Sequence, residues 1–118
     1  SWVSFVPSWG NPEDTVPVTR LWSGTAWYDA DPGGRIAEGE WTHIAFTVSN
    51  GEVKLYINNE LRFEGVDYPN VFGTGQTTYF GLGVNHWDIP FKGAIDEFKI
   101  FSEAVDAAKV AELYSVGE

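Results

Sequence analysis

Hydrophobic and polar residues alternate along most of this chain, which is the pattern of β-strands that bury one face. The alternation is clearest at Trp41–Val48, where Ile44, Phe46 and Val48 share one face of the predicted strand. Asn50–Gly51 follows directly and is a strong hairpin signal, because both residue types tolerate a positive φ. The pattern therefore predicts a strand that ends in a tight turn.

The next residues continue the same pattern. Glu52–Ile57 alternates again, and Asn58–Asn59 predicts a second tight turn into Leu61–Glu64. The three strands form an antiparallel meander, since each turn is too short for any other connection.

Further strands are predicted before and after this meander, at Trp2–Pro7, Val18–Trp22, Tyr79–Val84 and Gly93–Phe101. A single helix is predicted near the end of the chain, with Asp106 as its N-cap. About eight short strands and one terminal helix indicate an all-β fold, a two-sheet antiparallel β-sandwich with one short C-terminal helix. The residues expected to form its core are Ile44, Phe46, Val48, Val53, Leu55, Ile57, Phe98 and Ile100.

Composition and charge exclude several classes of function. The 118 residues suffice for one domain, and seven Lys and Arg against 17 Asp and Glu give a net charge of −10. Nucleic acids and anionic membranes bind basic clusters, and the sequence has none, so neither is an expected partner. The absence of Cys excludes disulfides and thiol chemistry. The absence of Met indicates a chain excised from a larger protein.

Two segments together carry a resemblance to a known family. The first reads Trp41-Thr-His-Ile-Ala-Phe-Thr-Val and continues at Lys54-Leu-Tyr-Ile-Asn-Asn; the second reads Phe91-Lys-Gly-Ala-Ile-Asp-Glu-Phe-Lys-Ile-Phe. They resemble the laminin-G-like, concanavalin-A-like jelly-roll domains of the bacterial carbohydrate-binding-module type. The resemblance implies a jelly-roll sandwich, secretion, and binding of carbohydrate or protein in place of catalysis. It also places Trp41 in a strand of the fold, so we expect its loss to destabilise the protein.

The resemblance departs from the family at the beginning of the chain, because members usually have further strands there. We therefore expect residues 1–118 to be a single laminin-G-like domain, which is either a compact member or a fragment that lacks N-terminal strands of a larger secreted protein. A fragment would leave a sheet edge open.

One predicted loop has the composition of a sugar site. Trp87 lies between Asn85, His86 and Asp88. A flat indole can stack on a sugar ring while the polar neighbours bind its hydroxyl groups. The alternative is that Trp87 folds back and covers one end of the sandwich.

A second aromatic pair, Trp27 and Tyr28, is the next candidate for sugar binding. Adjacent residues in a strand point to opposite faces, so one of the two rings is expected to be exposed. The sequence does not say which one.

Three carboxylates are candidate ligands for Ca²⁺. Asp29 and Asp31 precede a Pro-Gly-Gly turn, and Asp96 alternates with Phe98 and Ile100 on the inward face of the predicted closing strand. The alternatives are a turn that begins at Asp31 and a hydrogen-bonded Asp96 that braces its loop. No cofactor is expected to be required, and a structural Ca²⁺ stays an open possibility.

Catalysis is not expected. Glycosidases need two carboxylates at a fixed separation, whereas Asp96 and Glu97 are consecutive and point to opposite faces of a strand. The leading hypothesis is a secreted, non-catalytic module that binds a neutral polysaccharide and shares its parent chain with a glycoside hydrolase. Two alternatives stay open: a protein-binding or adhesion module with rim calcium, and a structural accessory domain of a larger enzyme.

Overall fold

A computed structural model of the protein describes residues 3–9, 18–23, 28–70, 81–84 and 90–116. Within these ranges the chain forms six strands and one helix. The strands are β1 (Val3–Trp9), β2 (Val18–Ser23), β3 (Tyr28–Ala30), β4 (Ile44–Ser49), β5 (Glu52–Ile57) and β6 (Glu60–Gly65), and the helix is α1 (Ala107–Val116). The predicted all-β fold with one C-terminal helix is confirmed.

The strands form two antiparallel sheets. The first sheet has the order β1-β2-β3, and the second has the order β4-β5-β6. In the second sheet the predicted meander is confirmed, with Ile44 opposite Ile57 and Val48 opposite Val53. Its order makes β5 the central strand and leaves β4 at one edge of the described sheet.

The two tight turns of the meander are built as the sequence predicts. Asn50 and Gly51 have φ values of 48° and 83° between β4 and β5, and Asn58 and Asn59 have values of 49° and 64° between β5 and β6. Two successive positive φ angles match the right-handed twist of a two-residue hairpin. The Gly51 carbonyl also accepts a hydrogen bond of 2.9 Å from the Tyr68 backbone N–H, which ties the turn to the chain beyond β6.

Replacing Gly51 by Ala is expected to lower the free energy of unfolding by about 1 kcal/mol, because a side chain disfavours the left-handed region. Steric overlap adds little, since an added Cβ would lie 3.6 Å or more from its neighbours. Chemical denaturation followed by circular dichroism measures the loss, with Glu52→Ala at an exposed position as the control. Equal stabilities of the two variants would contradict the turn geometry.

The core lies between the two sheets. Its buried centre consists of Ala30 from β3, Val53 and Leu55 from β5, and Tyr68. Side chains from β1, β3, β4 and β6 pack around it, namely Val3, Phe5, Tyr28, Ile44, Phe46, Val48 and Phe63. With Ile57 buried as well, six of the eight predicted core residues are confirmed in the interior or packed against it.

The predicted closing strand is not formed. Residues 93–101 make no strand in the described structure, and Phe98 and Ile100 are 53% and 60% exposed. Asp96 is exposed too, so the prediction that these three side chains face inward is wrong. Alternation buries a face only where a neighbouring strand pairs with the segment, and no described strand pairs with this one. Glu97 also interrupts the extended backbone, with a φ of 55°.

Two more strand predictions differ from the structure. Residues 81–84, at the end of the predicted Tyr79–Val84 strand, are not in a strand. Trp41 precedes β4 and is 72% exposed, because it lies outside the paired part of the sheet. The exposure of Trp41 therefore does not support the expectation that its loss destabilises the protein.

The C-terminal helix begins where its capping signal places it. The Asp106 carboxylate accepts a hydrogen bond of 2.8 Å from the Lys109 backbone N–H, which satisfies one of the free donors at the first turn. Val110 is fully buried. The Tyr114 ring contacts His43 edge to face, with ring centroids 5.7 Å apart. The helix of the described ranges, α1, is not long and apolar enough to cross a membrane.

Candidate functional site

The predicted sugar-binding loop lies outside the described residues, but both of its ends are described. Asn85, His86, Trp87 and Asp88 all fall within the range 85–89 that the structure does not describe, as does Trp27 in the range 24–27. Their roles in binding stay predictions.

A backbone hydrogen bond closes the base of that loop. The Phe91 N–H donates to the Gly83 carbonyl over 2.7 Å, which joins the chain before the loop to the chain after it. Gly83 has a φ of 77°, which a side chain would disfavour. A main-chain hydrogen bond therefore joins the described residues on the two sides of the range 85–89.

Tyr28 is described, and its ring belongs to an aromatic cluster inside the sandwich. It contacts Tyr68 and Phe63 edge to face, with centroid distances of 5.1 Å and 6.3 Å. Its hydroxyl lies over Gly65, where any side chain would meet it. Burial, and then the charge of Asp67, raise the pKa of Tyr28. Part of the Tyr28 ring therefore packs against Tyr68 and Phe63. The stacking of Tyr28 on a sugar stays a prediction.

The candidate metal ligands take part in local turns. The Asp31 carboxylate accepts a hydrogen bond of 2.8 Å from the Gly33 N–H, as the turn alternative requires. The Asp96 carboxylate accepts one of 2.8 Å from the Glu97 N–H. Asp29 is exposed on β3. Among the described residues, no three His, Cys, Asp or Glu side chains are grouped to hold a metal ion, and the calcium prediction stays a prediction.

Arg62 braces the turn that contains Asp31, and sequence reasoning missed it. Its Nε donates to the Pro32 carbonyl over 3.2 Å, and its Nη2 donates to the Gly33 carbonyl. The two bonds join β6 to the loop after β3. A lone Arg in a strand carries no sequence signal for such a contact, because the partner is 29 to 30 residues away.

A shallow groove on the outer face of the second sheet was also missed. Its volume is about 170 Å³, and the segment that leads into α1 forms one wall. It is lined by Thr47, Ser49, Glu52, Lys54, Tyr56, Ala104, Val105, Asp106 and Ala107. Alternation does place Thr47 and Lys54 on the face opposite the core, but it does not show that residues 104–107 lie beside them.

His43 lies between the second sheet and the helix. Its backbone N–H donates to Asn58 Oδ1 over 2.9 Å, and its carbonyl accepts from the Asn58 N–H over 2.8 Å. The Nδ1 atom is buried and makes no hydrogen bond to any described residue. Burial, and then the charge of Lys99, lower the pKa of His43. The site therefore favours a neutral imidazole packed on Tyr114.

Protein stability is expected to fall as the pH drops below the ordinary pKa of histidine, about 6.5. The pKa of His43 is lower in the folded state, so the unfolded chain binds the proton more readily. The stability that neutral His43 contributes is fully present above pH 6.5. It is lost as the pH falls through the pKa that His43 has in the folded protein. Urea denaturation between pH 7.5 and pH 5 measures it.

His43→Gln should flatten the stability profile in that window, whereas His86→Gln should leave it unchanged. These two are the only histidines of the chain. If His43→Gln retains the full pH dependence, the buried imidazole is not its source.

Comparisons with known proteins agree with the fold. A family model described as the concanavalin A-like lectin/glucanases superfamily matches residues 6–111. No curated protein matches the chain. Domain 4 of AbnA, a GH43 extracellular arabinanase from Geobacillus stearothermophilus solved in complex with arabinotriose, is 42% identical with a TM-score of 0.80. The match covers 96% of this chain and 52% of that one, so the chain spans about half of the arabinanase domain chain.

A second solved structure is more distant. It is an S-layer domain-containing protein from Clostridium thermocellum, 22% identical with a TM-score of 0.54. The match covers 95% of this chain and 63% of that one. At this identity the likeness concerns the fold alone.

Proposed function

Because the chain belongs to the concanavalin A-like lectin/glucanases superfamily, we propose that it is a non-catalytic module that binds a neutral polysaccharide, as part of a secreted glycoside hydrolase. One observation carries the proposal. The arabinanase domain that matches 96% of the chain at 42% identity was solved with arabinotriose bound. That protein is extracellular and is an arabinanase, which supports both the secretion and the shared parent chain.

The proposed ligand class is a neutral, arabinose-containing oligosaccharide or polysaccharide. Arabinotriose is the ligand of the arabinanase domain. The net charge of −10 favours a neutral sugar, since a polyuronate would be repelled unless cations intervened. Arabinan is therefore the first polymer to test.

Asp96 and Glu97, the two consecutive carboxylates of the segment that carries the family resemblance, are both engaged in local contacts. Glu97 forms an ion pair of 2.8 Å with Lys99, and this contact lowers the pKa of its carboxyl. A general acid needs the opposite shift, toward neutral pH. Asp96 is bonded to the neighbouring backbone. Neither group has the environment of a glycosidase acid.

We place the binding surface at the loop that contains Trp87, with Asn85, His86 and Asp88 as partners for sugar hydroxyls. The main-chain bond between Phe91 and Gly83 provides a fixed base from which a loop can present an aromatic ring. Trp27 and Tyr28 form the second candidate surface. If calcium takes part, Asp29, Asp31 or Asp96 is proposed to supply a ligand beside backbone oxygens and water, since the three carboxylates do not form one group.

Affinity electrophoresis tests the proposal directly. The chain is expected to be retarded in gels that contain arabinan, and a panel of other neutral polysaccharides defines the specificity. Isothermal titration with arabinotriose then gives the affinity per site. Repeating both with a chelator tests calcium, which would weaken binding or lower the melting temperature on removal. A folded chain that no neutral polysaccharide retards would refute the proposed function.

A further inference from the structure

The helix α1 lies along the outer face of β4. Its first residue, Ala107, lines a groove with Thr47 and Ser49, and near its other end the Tyr114 ring contacts His43. Alternation places His43, Thr47 and Ser49 on the side of the second sheet opposite the core. The lengths agree, since seven residues of helix span about 10 Å and four residues of strand about 13 Å. The helix therefore covers this face of the strand.

The attachment of α1 depends on few buried side chains. Val110 is its one buried residue, Leu113 and Tyr114 are half-buried, and half of the ten residues are exposed. Segments with few buried apolar contacts open locally, at a lower free energy than the whole protein unfolds. An isolated helix of this length is only marginally stable in water, so α1 would lose its helical structure once it left the sheet.

His43 joins the sheet through its main chain and meets the helix through its side chain. Its N–H donates to Asn58 Oδ1 over 2.9 Å, and its carbonyl accepts from the Asn58 N–H over 2.8 Å. Its Nδ1 is buried and makes no hydrogen bond to any described residue. Both ring nitrogens of an imidazolium are donors. Protonation therefore places a charged N–H without an acceptor where the helix meets the sheet, which is costly.

The groups that act on His43 from the surrounding elements include no carboxylate within the described part of the chain. They are Tyr114 from α1, Lys99 from the segment before the helix, and the uncharged Asn58 from the turn between β5 and β6. Lys99 opposes protonation, but its ion pair with Glu97 reduces this effect, and burial is the larger cause of the lowered pKa of His43. Departure of the helix admits water to Nδ1 and removes the main cost.

We propose that α1 is an acid-sensitive cover of the second sheet, and that proton uptake by His43 releases the helix from the outer face of β4 while both sheets stay folded. Release removes one wall of the groove on this face and uncovers the buried Tyr56. The sheets persist because their core, which includes Val53 and Leu55, lies on the other side of the second sheet, and Val110 is outside that cluster. This device operates whether or not the module binds sugar.

Native-state hydrogen exchange of the 118-residue chain, followed by NMR at pH 7.5 and pH 5 in low urea, tests the proposal. The α1 amides should be less protected than the β5 amides and less sensitive to urea, because local release exposes less surface than global unfolding. After correction for the intrinsic exchange rate, α1 protection should fall by up to about 30-fold at pH 5. That factor is the gain of a released state whose histidine has a pKa of about 6.5.

Three variants separate the causes of this change. His43→Gln should remove the pH dependence of α1 protection, whereas His86→Gln should retain it. Val110→Ala weakens the attachment without a titrating group, so it should lower α1 protection at both pH values by the same factor.

Two kinds of result would overturn the proposal. Equal protection and urea sensitivity of the α1 and β5 amides would mean that the helix leaves only when the whole protein unfolds. Protection of α1 that stays constant or rises at pH 5 would mean that the imidazolium is accommodated with the helix in place, by turning into water or by contact with the Tyr114 ring. Full pH dependence in His43→Gln would assign the effect to another group and would overturn it equally.

Discussion

Replacing Leu55 by Ala is expected to lower the free energy of unfolding by about 2–5 kcal/mol. Leu55 is fully buried at the middle of β5, the central strand of the second sheet. Its cross-strand partners are Phe46 on one side and Phe63 on the other. Both are aromatic residues packed against the core, so the cavity left by the lost methyl groups can collapse only in part.

Chemical denaturation followed by circular dichroism measures this loss. Leu61→Ala is the matched control, because it is the same substitution on the adjacent strand β6 at a side chain that is 44% exposed. It should cost about 0.5 kcal/mol or less. Equal losses for the two variants would show that the buried and exposed faces of the meander are assigned the wrong way round.

Local signals predict the part of the fold that local interactions determine. The meander from β4 to β6 follows from alternation and from Asn50–Gly51 and Asn58–Asn59, since each turn residue fixes its own backbone and pairs the strands beside it. The start of α1 follows from Asp106, whose side chain caps the helix three residues on. None of these features needs a distant partner.

Features that need distant partners could not be predicted. Phe98 and Ile100 follow the alternation of a buried strand, but burial depends on which strand lies beside them. Trp41 belongs to the strand segment that carries the family resemblance, yet its side chain lies beyond the paired residues. Pattern gives the face that a side chain occupies, and only the tertiary structure gives what covers that face.

In the candidate site, too, the sequence predicts local features but not the contacts between distant segments. Alternation requires Trp27 and Tyr28 to face opposite ways without deciding which one is inside, whereas the contacts of Tyr28 with Tyr68 and Phe63 place its ring in the interior cluster. The bracing of the Asp31 turn by Arg62 depends on a contact between chain segments far apart in sequence. Alternation alone predicts neither the packing of Tyr28 nor the contact of Arg62, because both depend on segments that are distant in sequence.

Replacing Trp87 by Ala is expected to weaken polysaccharide binding about tenfold with little change in stability. An aromatic contact is worth on the order of 1 kcal/mol or more, and about 1.4 kcal/mol corresponds to a factor of ten. The fold should persist, because the main-chain bond between Phe91 and Gly83 holds the base of the loop. Titration with arabino-oligosaccharides and affinity electrophoresis in arabinan measure the binding, and thermal denaturation measures the stability.

Trp41→Ala is the matched control for this prediction. It removes another indole, 72% exposed, from a position outside the predicted loop, so both sugar affinity and stability should change little. A folded Trp87→Ala variant with unchanged affinity would move the site to Trp27 and Tyr28. A Trp87→Ala variant that unfolds while its folded fraction still binds sugar would show that the indole closes the end of the sandwich. The two measurements together therefore separate a ring that contacts sugar from a ring that holds the loop in place.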